Sequence, residues 1–259
     1  IALDLIHYAR CGWAQDLSLP VADRAMLHAD NAYFLPNVRI ESHRLKTNTQ
    51  SATAFRGFGG PQGVLGMERI MDHLAHKLDI DATHLRQKNY YGSAVSGEYH
   101  TTHYHMPVRD FNLQSMTAKL LADCSFENRK HAIQTWNTDN QIIKRGIAFS
   151  TVKFGISFTL SHLNQAGALV HVYSDGSIRI NHGGTEMGQG LFQKMAQVAA
   201  HEFGVSINAV KITATDTAKV PNTSATAASS GSDLNGMAIK LACETIKTRM
   251  AELLASQYN

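Results

Sequence analysis

Apolar and polar residues change their spacing several times along this chain, and each change marks an element. Residues 1–10 alternate, with Ile1, Leu3 and Leu5 set against Ala2, Asp4 and Ile6, as in a strand. Residues 19–30 shift to turn spacing: Asp23 stands near the start and Met26, Leu27 and Asp30 follow, which predicts a helix in a region closed by Pro36. Alternation returns over 38–46. Over 61–78 the positions Val64, Met67, Ile70, Met71, Leu74 and Leu78 recur at three and four, the stripe of a helix entered through Pro61. Further helices are expected at 82–88, 112–121 and 126–140, with the polar stretch 93–107 as a loop. Strands are expected at 145–152 and 166–173, and Asp175-Gly176 is a turn signal that folds 177–181 back as the second arm of a hairpin. A helix over 190–203 follows, with Leu191, Met195, Val198, Ala199 and Phe203 on one face. A strand over 210–215 precedes a last helix over 233–254, which directs Met237, Leu241, Ile246, Met250 and Leu253 toward a core. This order lacks a strict strand–helix–strand repeat and predicts an α+β fold of mixed sheets packed with helices.

Composition narrows the classes. A length of 259 residues allows one large domain or two medium ones, and a 44% hydrophobic, 17% charged chain can build a core. A net charge of +3 without a Lys/Arg cluster argues against nucleic-acid binding. Cys11, Cys124 and Cys243 form no CxxC pair and no iron–sulfur spacing, which points to a reduced, cytoplasmic setting. No apolar run approaches the ~20 residues of a membrane span, and no signal peptide pattern is visible. The chain starts with Ile and enters a strand at once, so it is expected to be an internal piece of something longer.

Candidate chemistry gathers in glycine-rich stretches. His182-Gly183-Gly184-Thr185-Glu186-Met187-Gly188-Gln189-Gly190 lies between a strand-like run and a helix-like run, where first-turn amides and the helix dipole favour an anion. On its own such a stretch is more often a plain turn. Two more accompany it: Thr53-Ala54-Phe55-Arg56-Gly57-Phe58-Gly59-Gly60-Pro61-Gln62-Gly63 and Pro221-Asn222-Thr223-Ser224-Ala225-Thr226-Ala227-Ala228-Ser229. With Lys153-Phe154-Gly155-Ile156-Ser157-Phe158-Thr159, the set resembles, in order and spacing, the molybdopterin-binding part of the xanthine dehydrogenase family of molybdenum hydroxylases. The resemblance implies two incomplete molybdopterin-binding domains, residues 1–124 and 125–259. It also implies a molybdopterin cofactor here, with FAD and [2Fe-2S] clusters on other domains or subunits of an assembled oligomer.

Residue roles follow from that resemblance. Phe58 and Phe158 would sandwich a flat purine, with Phe55 packed behind the wall, since aromatic faces suit a planar heterocycle. Arg24, in Val21-Ala22-Asp23-Arg24-Ala25-Met26, matches the substrate arginine, which bonds a purine carbonyl and stabilises developing negative charge. Thr159 matches a threonine whose hydroxyl contacts the purine. Gln189, Met187 and Gly188 match the cofactor loop, and Arg56 an arginine at the pterin edge. Thr226, Ala227, Ala228, Ser229, Ser230 and Gly231 would bring backbone amides to the pterin phosphate, with side chains in Ser229-Ser230-Gly231-Ser232 that vary from the family. The molybdenum is held by the pterin, so no protein metal ligand is expected. His100, His103 and His105 have a spacing that suits zinc or nickel, but in a polar loop without Cys or paired carboxylates. His7, His28, His43, His162 and His182 read as structural. Glu186 looks like a general base, yet the family's base glutamate lies in a later motif that this sequence does not contain. The implied reaction is hydroxylation of hypoxanthine and xanthine to urate with oxygen from water. The alternatives are an aldehyde or N-heterocycle oxidase of the same superfamily and a non-catalytic pterin-binding scaffold.

Overall fold

The computed structural model describes residues 2–92, 99–109, 111–219 and 223–258. Ile1 of the first expected strand, 93–98 of the expected polar loop, and Pro221 and Asn222 of the third motif lie outside the described residues. The chain forms two compact units, Ile1–Gly155 and Ile156–Asn259.

The first unit contains β1 (Leu3–Gly12), α1 (Ser18–Leu27), β2 (Val38–Lys46), α2 (Gly60–Leu78), α3 (Ala82–Asn89), α4 (Leu113–Asp123) and α5 (Phe126–Asp139). β1 and β2 pair in parallel from Leu3 opposite Val38 to Gly12 opposite Lys46, so α1 is the crossover that a parallel pair requires. α2 lies against the backbone of α1 because its first turns carry no side chains there. A Cβ on Gly59 would sit 1.9 Å from the Val21 carbonyl oxygen, and one on Gly63 would sit 2.3 Å from that of Ala25. This approach fixes the rotation of α2. Its buried face is Gly60, Gly63, Met67, Met71 and Ala75, packed toward Tyr33, Leu85 and Tyr90. Leu74 and Leu78, expected in the stripe, are turned outward at 41% and 57% exposure.

The second unit contains β3 (Ala168–Val172), β4 (Ile178–His182), α6 (Leu191–Phe203), β5 (Val210–Ile212) and α7 (Gly231–Tyr258). β3 and β4 form the expected antiparallel hairpin, and β5 adds in parallel on the far side of β4 after the α6 crossover. Ile178, Ile180 and Val210 of the sheet meet Leu191, Met195 and Ala199 of α6 and Ile239 and Cys243 of α7. The expected inward face of α7 needs correction. Met237, Leu241, Met250 and Leu253 are each more than half exposed, and Asn235, Gly236, Ile239 and Cys243 face inward. α7 is apolar on several sides, and close packing on α6 selects the side with small residues, where a Cβ on Gly236 would just touch Met195 and Val198.

The expected strand at 145–152 is absent. Residues 147, 149 and 151 are turned in and their neighbours out, as alternation predicts, but no ladder partner exists among the described residues. Asparagine side chains take the partner's place. Asn137 accepts from the Arg145 N–H at 2.8 Å and donates to the Arg145 carbonyl at 2.9 Å. Asn31 donates to the Thr151 carbonyl at 2.8 Å and accepts from the Lys153 N–H at 3.0 Å. In the second unit Asn164 clasps Phe158 in the same way, at 2.8 and 3.0 Å. A carboxamide presents an N–H donor beside a carbonyl acceptor, as an opposing peptide does, so it satisfies backbone without a strand.

Candidate functional site

In the first unit the site is built around α1. Arg24 is 2% exposed, and its guanidinium donates to the Gly155 carbonyl. The guanidinium carbon lies 5.4 Å from the Phe154 ring centroid and 5.9 Å from that of Phe58, within cation–π range of both. Burial draws the Arg24 pKa down, yet an arginine stays charged over the physiological range. Phe58 is half-buried and has a positive φ of 49°, a conformation rare for a bulky residue, held by its N–H on the Phe55 carbonyl at 2.7 Å. The glycines around it explain the loop: a Cβ on Gly60 would lie 2.7 Å from the Phe154 ring.

Phe55 is 81% exposed and does not pack behind Phe58. With Arg56, Pro61, Val152 and Phe154 it lines an open cavity of about 580 Å³.

One turn beyond Arg24, His28 touches the same partners. It bonds the Arg24 carbonyl through Nδ1 and accepts the Gly155 N–H at Nε2, both at 2.8 Å, and its ring centroid is 5.1 Å from that of Phe154. Beneath them lies a buried polar network. Asp30 takes Lys153 and Tyr91 as partners, and His103 lies at 3.5 Å. Burial pushes the Asp30 carboxyl up, but His103, Lys153 and Tyr91 together hold it below the usual carboxylate range. Glu68 accepts from Asn31 at 2.9 Å, Tyr33 at 2.5 Å and Arg86 at 2.8 Å. The networks anchor the 151–155 segment that carries Phe154 and Gly155.

His103 is occupied by Asp30 and by the Met26 carbonyl at 3.0 Å, and no metal-holding group of three or more His, Cys, Asp or Glu side chains occurs among the described residues.

In the second unit the glycine-rich loop follows β4 and opens α6. Glu186 braces it from within: its carboxylate accepts the N–H groups of Gly188 at 2.8 Å, Gly190 at 3.0 Å and Phe192 at 3.0 Å. Those amides, that of Phe192 first, hold its pKa below the usual value. Gln189 folds back as well, accepting from the Met187 N–H at 2.5 Å and donating to the Thr185 carbonyl at 2.8 Å. Met187 stands 66% exposed at the tip, beside Gly188 and Gly190 with φ of 91° and 75°.

The Thr185 N–H donates to Thr226 Oγ1 at 2.8 Å, which ties this loop to the entry of α7. There Ala228 and Ser229 hold φ of 55° and 58°, two successive left-handed residues other than glycine, and Ser157 donates to the Ala228 carbonyl at 2.7 Å. Such strain persists only where surroundings impose it, and it gathers at ligand sites. Ala227 and Gly231 are half-buried and Ser230 is buried, while Thr159 is exposed. His182 accepts the Gly184 N–H at Nδ1, 3.0 Å away, so its proton sits on Nε2, which is buried without a hydrogen-bond partner among the described residues.

Two profiles of the molybdopterin cofactor-binding domain match the chain, one over residues 1–90 and one over 119–259. The chain is 46% identical over 250 residues to the xanthine dehydrogenase/oxidase of Mus musculus and 46% identical over 249 residues to the xanthine dehydrogenase of Dictyostelium discoideum. It is 45% identical over 259 residues to the xanthine dehydrogenase of Oryza sativa subsp. japonica. These alignments take in 96%, 96% and 100% of this chain, which spans 18% of the length of each relative. Among solved structures, a Cu,Mo-CO dehydrogenase matches with a TM-score of 0.80 at 20% identity, over 96% of this chain and 33% of that one. Quinoline 2-oxidoreductase from Pseudomonas putida 86 matches with a TM-score of 0.76 at 20% identity, over 93% of this chain and 32% of that one. At such identity these two speak to the fold.

Proposed function

The chain belongs to the molybdopterin cofactor-binding domain family, and from that premise we propose that it works within a molybdenum hydroxylase of the xanthine dehydrogenase type. The substrate is a purine, hypoxanthine or xanthine carried to urate with oxygen from water. Residues 1–124 and 125–259 contribute to two cofactor-binding domains, and the base glutamate lies outside the chain. FAD and [2Fe-2S] clusters sit on other domains or subunits of a cytoplasmic homo-oligomer. No helix among the described residues is long and apolar enough to cross a membrane.

The residues fit a pterin. The first-turn amides of α6 expected to favour an anion are taken by Glu186 instead, so Gly188 and Gly190 offer only a turn bare of side chains; Ala228 and Ser229 hold strained backbone at the entry of α7, and the Thr185–Thr226 bond puts the two loops together. Small residues at strained turns let amides approach a phosphate. When bound, the molybdenum cofactor supplies oxygen-atom transfer and accepts the electron pair. Gln189 and Met187 shape its loop, Thr226, Ala227, Ser230 and Gly231 its phosphate end, and Arg56 the pterin edge. Phe58 and Phe158 supply aromatic faces for the ring, and Thr159 a hydroxyl.

The observation that carries the purine assignment is Arg24. A guanidinium buried to 2% exposure beside two aromatic faces, 5.4 and 5.9 Å away, is a fixed cation for a flat, carbonyl-bearing ring that gains negative charge. Arg24→Met in the full-length enzyme tests it. Turnover of xanthine should fall roughly 10²–10³-fold while that of an aldehyde is largely kept. Equal losses would replace the purine reading with an aldehyde or N-heterocycle oxidase, and a molybdenum-loaded enzyme with no turnover would leave a binding scaffold.

A further inference from the structure

We propose that His28 is a positioning residue for Arg24, holding the guanidinium and the Phe154 ring in place through a closed ring of three hydrogen bonds. The inference rests on the reading of Arg24 as the substrate residue. The ring runs from the Arg24 guanidinium to the Gly155 carbonyl, from the Gly155 N–H to His28 Nε2, and from His28 Nδ1–H to the Arg24 carbonyl. Its chemistry admits one state of the imidazole. A carbonyl only accepts, so Nδ1 carries the proton; a peptide N–H only donates, so Nε2 keeps its lone pair. His28 is therefore neutral, and it is 3% exposed.

Protonation would place a second N–H against that of Gly155. The ring would open at Gly155, whose carbonyl is the acceptor for Arg24. The Gly155 N–H bond and the Arg24 guanidinium bond are the two that join α1 and its C-cap to residue 155, so breaking the first loosens the carbonyl that holds the cation and, beside it, the Phe154 wall.

The charges facing His28 are Arg24 and Lys153, which oppose its protonation, and Asp30, which favours it but is paired with Lys153. Burial is the largest influence and lowers the pKa from its ordinary 6.5. A histidine depressed in the folded state contributes stability that is complete above its unfolded value and is lost as pH falls through the folded one. Purine turnover should thus carry an acid limb below pH 6.5 that aldehyde turnover lacks.

The test uses the assembled full-length enzyme with four variants: His28→Phe, which keeps a ring against Phe154; His28→Gln, which restores an acceptor near the Nε2 position; Arg24→Met; and His28→Phe with Arg24→Met. His28→Phe should cut kcat/KM for xanthine by ~10-fold or more, since small misplacements near the chemistry are costly. Urate binding measured by calorimetry should weaken in step, and the acid limb should vanish. Aldehyde turnover and molybdenum content should stay within about two-fold, because a positioning loss confined to one substrate is not a folding loss. His28→Gln should recover part of the activity. On the Arg24→Met background His28→Phe should have no further effect on xanthine. An additive loss there, an equal loss on the aldehyde, or an unchanged acid limb in His28→Phe would overturn the positioning role and leave the function intact. If Arg24→Met itself spares xanthine, both the purine reading and this inference fall.

Discussion

Asn31→Ala measures how much a side chain that replaces a strand is worth. Asn31 is 0% exposed and makes three bonds, to the Thr151 carbonyl at 2.8 Å, to Glu68 at 2.9 Å, and from the Lys153 N–H at 3.0 Å. Alanine leaves the Thr151 carbonyl and the Lys153 N–H without partners, at about 1–3 kcal/mol each for buried groups. Glu68 keeps Tyr33 and Arg86, so the third bond is worth about 1 kcal/mol. Asn31 also holds a φ of 46°, which asparagine tolerates better than alanine. A water entering the vacated space returns part of the loss. The expected destabilisation is about 4 kcal/mol, a large share of the ~5–15 kcal/mol of a typical domain. In a chain of this size that corresponds to a fall in Tm of roughly 10 °C. The control is Asn137→Ala, which removes the same pair of contacts from the exposed backbone of Arg145, where water can replace them, so it should cost less than about 1 kcal/mol. Thermal unfolding of the 259-residue chain compares the two. Equal losses, or a loss below about 1 kcal/mol for Asn31→Ala, would refute the idea that burial of this clasp fixes the segment carrying Phe154.

Two glycines on α2 should respond in opposite senses. Gly63→Ala drives a Cβ to 2.3 Å from the Ala25 carbonyl oxygen, in backbone that cannot yield, so it should destabilise by about 1–3 kcal/mol or more. Gly66 has nothing within 4 Å of its Cβ position, and Gly66→Ala should stabilise by about 0.5–1 kcal/mol through helix propensity alone; like-signed shifts in Tm would contradict the packing of α2 on α1. Glu186→Gln weakens the brace on three loop amides and should lower the molybdenum content of the purified enzyme, while turnover per molybdenum keeps its pH profile. A collapse of turnover per molybdenum by ~10³-fold would instead make Glu186 the base. Because the Glu186 pKa is depressed, the loop should be braced above the ordinary 4.5 and loosen as pH falls through the lower folded value, which proteolysis of the loop across an acid series would follow.

Much of the fold was legible because local pattern and tertiary packing agree. β2 spans the 38–46 read from alternation alone, and Leu191, Met195 and Ala199 of α6 are each at most 1% exposed, as their spacing required. Where several faces of a helix are apolar, periodicity ranks them by size, whereas packing ranks them by approach; hence Met237 and Leu241 point out and Gly236 and Ile239 in. The 145–152 stretch shows the other limit. Its pattern is that of a strand, but a strand exists only with a neighbour, and asparagines at 31 and 137 leave no alternation to read. In the sequence His28 stands isolated and reads as structural; its Gly155 partner is 127 positions away and offers only a peptide N–H, so no side-chain motif marks the pair. The resemblance gave roles to Arg24 and Phe58 but none to Phe154, which stands in one of the same motifs and lies nearer the guanidinium than Phe58 does.

The asparagine clasps also set how the chain breathes. A ladder slows exchange of its backbone protons over a continuous run, whereas a clasp guards one or two peptides and nothing between. Residues 146–150 make no hydrogen bond among the described residues, while the amide protons of Arg145 and Lys153 are each held by a carboxamide. In deuterated solvent the segment should label in its middle within the dead time and stay protonated at Lys153, so that one polypeptide stretch behaves as a loose span pinned at its ends. Its sideways play, and with it the reach of the Phe154 ring, is then set by two pins that sequence change can adjust one at a time without disturbing either sheet.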